Sequence, residues 1–404
     1  MDIAYLSPEY PKTTEPDGGL ANYLRKVGLD LSNRAHRISI FCLSNKNKHW
    51  FDGDIEIFEI KEFKLPYQFY RFKKLCVFLP FLTQIQSSKR LAKVFWREHN
   101  KFPFDIIQAS SYKSPGYVMR RNQKVPMVCR VSSYRPMIRS AEGRRRNFCQ
   151  YLTDWLEIRQ VVDVQSAFAP SQLMADTYAK FEGCSLQVIR TPVEKFSPEM
   201  DHSLYESSLI DKEYLLYFGT LKLVKGVDLL AGIISPILES HSSLYFVFIG
   251  RDDGMNNRQK IFDYITELNP KYKDRLLYYP SMPKATLYPI IMHSLGVVMP
   301  SRVDNYPNAC LEALSLGVPV VGTYQSSLDE MIVDGKTGFL ANNGDPDSIK
   351  DAIERLLRMT NEQRRQMKCN IAEVVNEIKK EDRVGQLIDF YNEVIASFHH
   401  QGVS

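Results

Sequence analysis

Twice along this sequence, short runs of apolar and β-branched residues alternate with longer amphipathic stretches, and this pattern constrains the fold more than any other feature. Such alternation is typical of strand–helix–strand units, in which the strands are parallel and helices cover the sheet. In the first half, strands are predicted at 3–6, 37–42, 105–108 and 127–131. In the second half, they are predicted at 214–218, 244–249, 276–279, 296–299 and 318–321. We therefore predict an α/β protein with two doubly wound parallel sheets.

The length of the chain supports two domains. Its 404 residues exceed the size at which a single hydrophobic core usually stops growing. The segment 191–210 contains two prolines and no periodicity, which indicates a linker between domains at 1–190 and 211–382. A last amphipathic stretch at about 383–398 predicts a final helix. Hydrophobic residues at 44% and charged residues at 25% exclude a largely disordered chain.

Cysteine usage and the N-terminal sequence indicate a compartment. The seven cysteines are scattered, odd in number and never spaced as a zinc-ligand pair, so a reducing environment without structural zinc is expected. The N-terminus carries no signal-peptide pattern. The longest apolar run, 76–82, is far shorter than the roughly 20 residues that span a bilayer. We expect a cytoplasmic protein.

Charge is distributed unevenly. Residues 1–200 carry 31 Lys/Arg against 20 Asp/Glu, whereas the remainder carries 21 against 27. The segment 61–146 alone carries 20 basic and 4 acidic side chains. Such an excess indicates an anionic partner, and nucleic acid, a membrane surface and a phosphorylated substrate all fit, as does an ordinary solvated basic face.

The segment 304–317 has the most informative spacing. Asp304 follows a predicted strand, Pro307 marks the start of a helix, and Gly317 marks its end. Ligands of open α/β sheets bind at this edge, where helix N-termini also offer free N–H groups. Glu312 lies on the same helix, and a buried carboxylate there needs a ligand or another partner.

This segment resembles the signature of the retaining glycosyltransferases of family 4, the glycosyl transferases group 1, and the resemblance covers nearly the whole chain. Asp304, seven residues, Glu312 and then Gly317-Val-Pro-Val-Val match, although the family usually has Glu where Asp304 stands. The resemblance implies the GT-B fold, in which two Rossmann-like domains face each other across a cleft and the last helix crosses back to the first. It also implies a nucleotide diphosphate-sugar as co-substrate, and neither a metal nor another cofactor.

The same resemblance assigns roles to the second half. Asp304 would contact hydroxyls of the transferred sugar, and Glu312 the nucleotide ribose. The backbone N–H groups of Asn305, Tyr306 and Asn308 would face the sugar or the diphosphate.

Further donor contacts follow from the same resemblance. Lys225 matches the lysine that neutralises the diphosphate, whereas Thr220 stands where the family commonly has Arg, and Lys222 could compensate. Gly18 and Gly19 end a loop at a predicted helix start and would meet the diphosphate from the first domain.

The resemblance also places a base site and an acceptor side. The base would be held by main-chain groups around Met282. After the fourth predicted strand, where many relatives have a histidine near the reacting sugar, this chain has Ser132 and Ser133, which can hydrogen-bond but cannot carry its charge. Arg144 and Arg145 could bind an acceptor phosphate.

The predicted acceptor is a carbohydrate or a lipid-linked sugar, as in polysaccharide or glycolipid assembly. A bilobal sugar-nucleotide enzyme has little reason to bind nucleic acid, so the basic segment favours peripheral attachment to the inner face of a membrane. Its basic side chains interleave with aromatic side chains and one leucine: Lys73, Lys74, Lys89, Arg90, Lys93, Arg97, Tyr70, Phe72, Phe78, Leu79, Phe81, Phe95 and Trp96.

Two other functions remain open at this point. Because Asp304, Thr220 and Ser132 all depart from the family pattern, the chain could be a binding subunit that has lost activity. A sugar-nucleotide epimerase or hydrolase on the same fold would need no acceptor. Asp52-Gly53-Asp54 superficially resembles a metal-binding motif, but its place before a strand-like run predicts a hairpin turn.

Overall fold

The computed structural model describes residues 1–11, 19–64, 78–145, 147–193, 199–255 and 259–401. It divides the chain into two compact units, unit 1 (Met1–Pro192 with Asp382–Ser404) and unit 2 (Val193–Glu381). Each unit is built on its own predominantly parallel sheet, so the predicted fold class is confirmed. Among the described residues, no helix combines the length and the apolar character needed to cross a bilayer.

Unit 1 contains an eight-stranded sheet in the order β3-β4-β2-β1-β5-β6-β7-β8, in which only β3 runs antiparallel to its neighbour. Its central strands are buried on both faces, which is why apolar residues stand at consecutive positions, as at 3–6 of β1 and 106–107 of β5, rather than alternating with exposed polar residues. The strands are β1 Asp2–Ser7, β2 Arg37–Ser44, β3 Lys48–Asp52, β4 Ile55–Lys61, β5 Ile106–Ser110, β6 Met127–Arg130, β7 Ser166–Ala169 and β8 Gln187–Val188. The helices are α1 Gly19–Asn33, α2 Leu79–His99, α3 Arg135–Ala141, α4 Phe148–Asp163 and α5 Gln172–Glu182.

Unit 2 contains a six-stranded parallel sheet in the order β13-β11-β9-β14-β15-β16 and a separate pair, β10-β12. The strands are β9 Glu213–Phe218, β10 Leu221–Lys222, β11 Leu244–Ile249, β12 Asp252–Gly254, β13 Leu276–Tyr279, β14 Gly296–Val298, β15 Val320–Thr323 and β16 Gly338–Ala341. The helices are α6 Ser203–Ser208, α7 Ile234–Ser240, α8 Ile261–Leu268, α9 Lys284–Met292, α10 Asn308–Ser315, α11 Pro346–Leu357 and α12 Asn361–Lys380.

The last helix, α13 Arg383–Gln401, belongs to unit 1, as the resemblance implied. Its buried side chains join the core beneath β1 and β7, where the rings of Phe390 and Phe168 meet edge to face at 5.4 Å. Tyr391 donates to the side-chain oxygen of Gln108 at 2.5 Å and lies 3.1 Å from the hydroxyl of Tyr5. The helix is therefore an integral part of the first core.

Two local predictions have clear outcomes. Asp52-Gly53-Asp54 forms the turn of the β3–β4 hairpin, with Gly53 at φ +60°, as predicted.

The predicted linker 191–210 contains α6, whose Tyr205 stacks on His293 at 4.1 Å between ring centroids. A six-residue helix is too short to produce a periodic sequence signal.

Candidate functional site

The strand order of the second sheet indicates where a ligand would bind in unit 2. The order reverses at the junction of β9 and β14, which pair directly with each other. In open parallel sheets, ligands bind beyond the carboxyl ends of the strands at such a switch point. Lys225 lies in the segment after β9, and Asp304 lies in the segment after β14. The structure thus brings these two predicted residues to the same edge.

A glycine allows the two segments to touch. The short 3₁₀ helix Leu223–Lys225 ends at Gly226, whose φ is +66°. A Cβ atom at this position would lie 1.8 Å from the carbonyl oxygen of Pro300, which follows β14. Glycine is needed both for the left-handed backbone and for the close approach. Lys225 is thereby held against the segment that carries Asp304.

Lys225 and Asp304 form an ion pair, with Nζ 2.5 Å from Oδ2. Ser301 Oγ donates to the same oxygen at 3.2 Å, and the backbone N–H of Asn305 donates to Oδ1 at 3.0 Å. Only 12% of the Asp304 side chain and 30% of the Lys225 side chain are exposed, so the pair is partly shielded from water. An incoming anion could draw the ammonium away from the carboxylate, which would leave Asp304 free to accept hydrogen bonds from hydroxyls.

The loop before α10 uses two of the three N–H groups that were expected to face a ligand. Asn305 donates to Asp304, and the buried Tyr306, at φ +56°, donates from its N–H to Ser327 Oγ at 2.9 Å. These two groups are therefore engaged within the protein. Asn308, the first residue of α10, differs because its N–H has no acceptor within the helix.

Glu312 is paired with a lysine that the sequence analysis missed. Its Oε1 lies 3.0 Å from Nζ of Lys284, the first residue of α9, which provides the partner that a shielded carboxylate needs. Met282, two residues earlier, is partly buried against the core of unit 2. Sequence spacing gave no signal for this pair, because its two residues lie on different helices that are separated along the chain by β14. Lys284 is thus the cation beside Glu312.

The remaining predicted cation of unit 2 is neutralised elsewhere. Lys222 Nζ lies 2.9 Å from Asp253, which Arg251 also contacts at 2.7 Å. Thr220, at the family's Arg position, accepts a hydrogen bond at its carbonyl from the Tyr217 hydroxyl at 2.8 Å. Lys222 would thus compensate for the missing arginine only if its ion pair with Asp253 broke.

A second ion pair that the sequence analysis missed joins the same two segments. Arg302 donates two hydrogen bonds, of 2.7 and 2.8 Å, to the carboxylate of Asp228, and a third, of 2.5 Å, to the carbonyl of Leu223. A bidentate Arg–carboxylate contact fixes orientation as well as distance. Arg302 therefore positions the loop of Lys225 relative to the loop of Asp304.

In unit 1, the equivalent switch point lies between β1 and β5. Gly19 is exposed at the start of α1, whereas Gly18 lies outside the described residues. Ser132 and Ser133 are half-buried beyond β6, and the Ser132 N–H donates to Ser111 Oγ at 2.9 Å. The serines therefore lie at the carboxyl edge of the first sheet, where the resemblance implies an acceptor.

The predicted arginine pair lies between α3 and α4. Arg144 forms an ion pair with Glu142 at 3.1 Å, and Arg145 is exposed. Arg146 lies outside the described residues. A phosphate at this place would compete with Glu142 for Arg144.

Glu157 is a buried carboxyl beneath the loop that follows β5. Its Oε1 accepts from the Lys113 N–H at 2.9 Å, while its Oε2 is buried and has no hydrogen-bond partner among the described residues. Burial raises the pKa of Glu157 to about 7, and the nearby Arg135 and the Lys113 N–H oppose the rise. Arg139, the other cation nearby, is engaged with buried Asp154 at 2.8 Å.

We expect the stability of unit 1 to fall as the pH rises from about 4.5 to about 7, because native Glu157 keeps a proton that the unfolded chain releases in this range. Glu157→Gln should abolish this loss, which is at most about 3.5 kcal/mol because the pKa rises from 4.5 to about 7 and each pKa unit is worth about 1.4 kcal/mol. Thermal unfolding across this range measures it, with exposed Glu393→Gln as the control. Parallel pH dependence in wild type and Glu157→Gln would contradict the assignment.

Two family models match the chain in succession. "Glycosyltransferase Family 4" matches residues 17–195, and "Glycosyl transferases group 1" matches residues 206–374. The first model covers most of the contiguous part of unit 1, and the second covers the segment that carries Lys225, Asp304 and Glu312.

Similar proteins include a 41.2 kDa protein encoded in the cps region of Klebsiella pneumoniae, 26% identical over 45% of this chain and 46% of that protein. The 2-deoxystreptamine N-acetyl-D-glucosaminyltransferase of Niallia circulans is 20% identical over 60% of this chain and 63% of that enzyme. The D-inositol 3-phosphate glycosyltransferase of Corynebacterium urealyticum is 25% identical over 41% of each chain. The chain thus spans about half the length of the curated relatives it matches.

Solved structures match over nearly the full length. Sucrose-phosphate synthase from Thermosynechococcus elongatus has a TM-score of 0.79 at 16% identity and covers 98% of this chain and 100% of its own. The α,α-trehalose-phosphate synthase (UDP-forming) of Burkholderia vietnamiensis has a TM-score of 0.72 at 12% identity, with coverage of 97% and 100%. At these identities the likeness establishes the fold alone.

Proposed function

Because this chain belongs to the GT-B glycosyltransferases that the family 4 and group 1 models describe, we propose that it transfers a sugar from a nucleotide diphosphate-sugar to an acceptor hydroxyl. The acceptor is a carbohydrate or a lipid-linked sugar in cell-surface polysaccharide or glycolipid assembly. One relative is named for polysaccharide biosynthesis: the capsular polysaccharide biosynthesis glycosyltransferase CapM of Staphylococcus aureus, 35% identical over 15% of this chain and 16% of that protein.

The ion pair of Lys225 and Asp304 at the switch point carries this proposal. A diphosphate bound there attracts the Lys225 ammonium, which stabilises negative charge on the leaving group. Asp304, released from the lysine, accepts hydrogen bonds from hydroxyls of the donor sugar. Glu312, paired with Lys284, would accept hydrogen bonds from a diol such as the nucleotide ribose. The rearrangement couples donor binding to exposure of the sugar-binding carboxylate.

The proposed transfer retains the anomeric configuration. The bond from the anomeric carbon to the diphosphate oxygen breaks, the acceptor oxygen bonds to the same face, and the acceptor proton passes to the departing diphosphate. The protein supplies charge stabilisation and positioning, so we assign no side-chain nucleophile and no metal to the reaction. At the edge of the first sheet, Ser133 would hydrogen-bond a substrate hydroxyl, and Ser132 would do so once its buried Oγ is uncovered.

The proposal is tested by screening UDP-, GDP- and ADP-sugars, first by thermal shift and then by release of nucleoside diphosphate with and without acceptor sugars. Release that depends on an acceptor, together with a glycosylated product, is expected. Binding of a donor without turnover would instead favour an inactive binding subunit. Turnover without any acceptor would favour an epimerase or hydrolase.

We expect Asp304→Glu to reduce turnover by about tenfold or more, although glutamate is the residue more common in the family. The carboxylate of Asp304 already meets Lys225, Ser301 and the Asn305 N–H, and one more methylene would displace it from all three. Steady-state kinetics measure the effect. Asp347→Glu, an exposed position at the start of α11, is the matched control. Turnover equal to wild type would show that the loop is not built around the shorter side chain.

A further inference from the structure

Two helices of unit 1 display large apolar side chains on their outer faces. On α4, Phe148, Tyr151 and Trp155 are 57%, 53% and 39% exposed, and their spacing of three and four residues places them on one face. At the start of α2, Phe78 and Leu82 are 42% and 41% exposed. We name these five residues the aromatic face.

The aromatic face is continuous across the two helices. The rings of Phe78 and Phe148 meet edge to face at 5.6 Å, which places the first turns of α2 and α4 side by side. Trp155 lies 6.1 Å from the ring of Tyr117, between centroids, and Val118 beside it is exposed. A contiguous group of exposed rings is uncommon on a protein surface and marks an interaction site.

Basic residues continue the same faces toward the other end of each helix. On α2, Lys89 and Lys93 are exposed and follow Leu82 by seven and eleven residues, so they lie on its side of the helix. On α4, the partly exposed Arg159 follows Trp155 by one turn. Along each helix, the outer face therefore changes from aromatic and aliphatic side chains at one end to basic side chains further along.

Carboxylates are turned away from this surface. The three acidic residues of α4, which is described throughout, are Asp154, Glu157 and Asp163, and all three side chains are buried. Asp154 pairs with Arg139 beneath the helix, and Asp163 is surrounded by arginines. The exposed surface of α4 thus carries rings and positive charge without exposed negative charge.

We propose that the aromatic face, with Lys89 and Lys93, docks on the surface of an anionic lipid membrane. Aromatic side chains favour the boundary between head groups and acyl chains, while lysines and arginines attract anionic head groups. A second copy of the chain would bring the same cations against each other, so self-association fits less well. The inference rests on the proposed function, because it places the first domain beside a lipid-linked acceptor.

This surface differs from the one expected from sequence. Leu79 and Phe95 are buried in the core, and Trp96 is half-buried against Phe95 at 5.0 Å between ring centroids. Tyr70, Phe72, Lys73 and Lys74 lie outside the described residues. The exposed rings of this surface come mainly from α4, which was not singled out from the sequence.

The test is sedimentation of the full chain with phosphatidylcholine vesicles of increasing phosphatidylglycerol content, at low and high salt, without donor or acceptor. Binding should rise with phosphatidylglycerol and fall with salt. The double variant Phe148→Ser/Trp155→Ser should bind roughly tenfold or more weakly. Phe51→Ser removes an equally exposed ring elsewhere in unit 1 and should bind as wild type does. Lys89→Glu/Lys93→Glu should also bind roughly tenfold or more weakly at low salt.

Tryptophan fluorescence tests the geometry. Brominated lipids should quench Trp155 in the bound wild type, and Trp155→Phe should lose most of this quenching because Trp50 and Trp96 lie outside the aromatic face. Absence of binding at low salt and high phosphatidylglycerol, or full binding by the double variant, would overturn the proposal. So would a soluble dimer that the double variant dissociates. Transfer to a soluble acceptor without vesicles tests the proposed function separately.

Discussion

Lys225→Ala and Glu312→Ala should each lower turnover by at least ~100-fold while leaving the protein folded, because each removes a charge-assisted contact in a shielded site. Neither change strands a buried charge. Asp304 keeps Ser301 and the Asn305 N–H as partners, and Lys284, the partner of Glu312, is 37% exposed to water.

Steady-state kinetics with the donor identified in the screen measure both variants, and circular dichroism with thermal unfolding checks the fold. Lys271→Ala, which removes a lysine of unit 2 that is 70% exposed and pairs only with the exposed Glu239 in the described ion pairs, is the control and should leave turnover unchanged. Kinetics near wild type in both Lys225→Ala and Glu312→Ala would rule out the site. If only one variant loses turnover, only that residue is supported as part of the site, because the two residues are expected to contact different parts of the donor.

Truncation after Lys380 should yield insoluble or non-cooperatively unfolding protein. It removes α13 and with it five buried apolar side chains of the first core: Val384, Leu387, Phe390, Tyr391 and Val394. Burial of each is worth about 2 kcal/mol, so the sum is comparable with the 5–15 kcal/mol that stabilises a typical domain. Tyr5 and Phe168 would lose their partners.

A milder variant separates loss of packing from loss of the helix. Phe390→Ala should destabilise unit 1 by about 3–5 kcal/mol, and Asn392→Ala, exposed on the same helix, by less than about 0.5 kcal/mol. Chemical denaturation measures both. A truncated protein that is soluble, cooperative and active would refute the structural role of α13.

The sequence predicted those features that depend on local pattern. Short runs of apolar and β-branched residues located the nine strands that were proposed, because buried strands of parallel sheets are rich in such residues. Pro307 and Gly317 located the ends of α10, whose C-terminal turn has Gly317 at φ +77°. Asp52-Gly53-Asp54 predicted its hairpin because tight turns demand such residues.

Features that depend on tertiary contact were beyond the sequence. Glu312 pairs with Lys284, and the N–H of Tyr306 donates to Ser327. Both contacts join segments that are distant in the sequence, so they form only when the chain folds. Aromatic spacing on a helix likewise cannot separate core from surface. Phe95 is buried and Trp155 is exposed, although both lie on amphipathic helices of unit 1.

The placement of α13 in unit 1 has a consequence for biosynthesis. Unit 2 is one continuous segment, Val193–Glu381, so all of it has been translated before any of α13 leaves the ribosome. Unit 1 begins earlier but lacks Phe390 and Tyr391 until the last helix emerges, which leaves apolar surface around Phe168 uncovered during translation. Exposed surface of this kind makes nascent chains prone to aggregation. The unit whose synthesis begins first therefore cannot complete its core until the last helix of the chain is available.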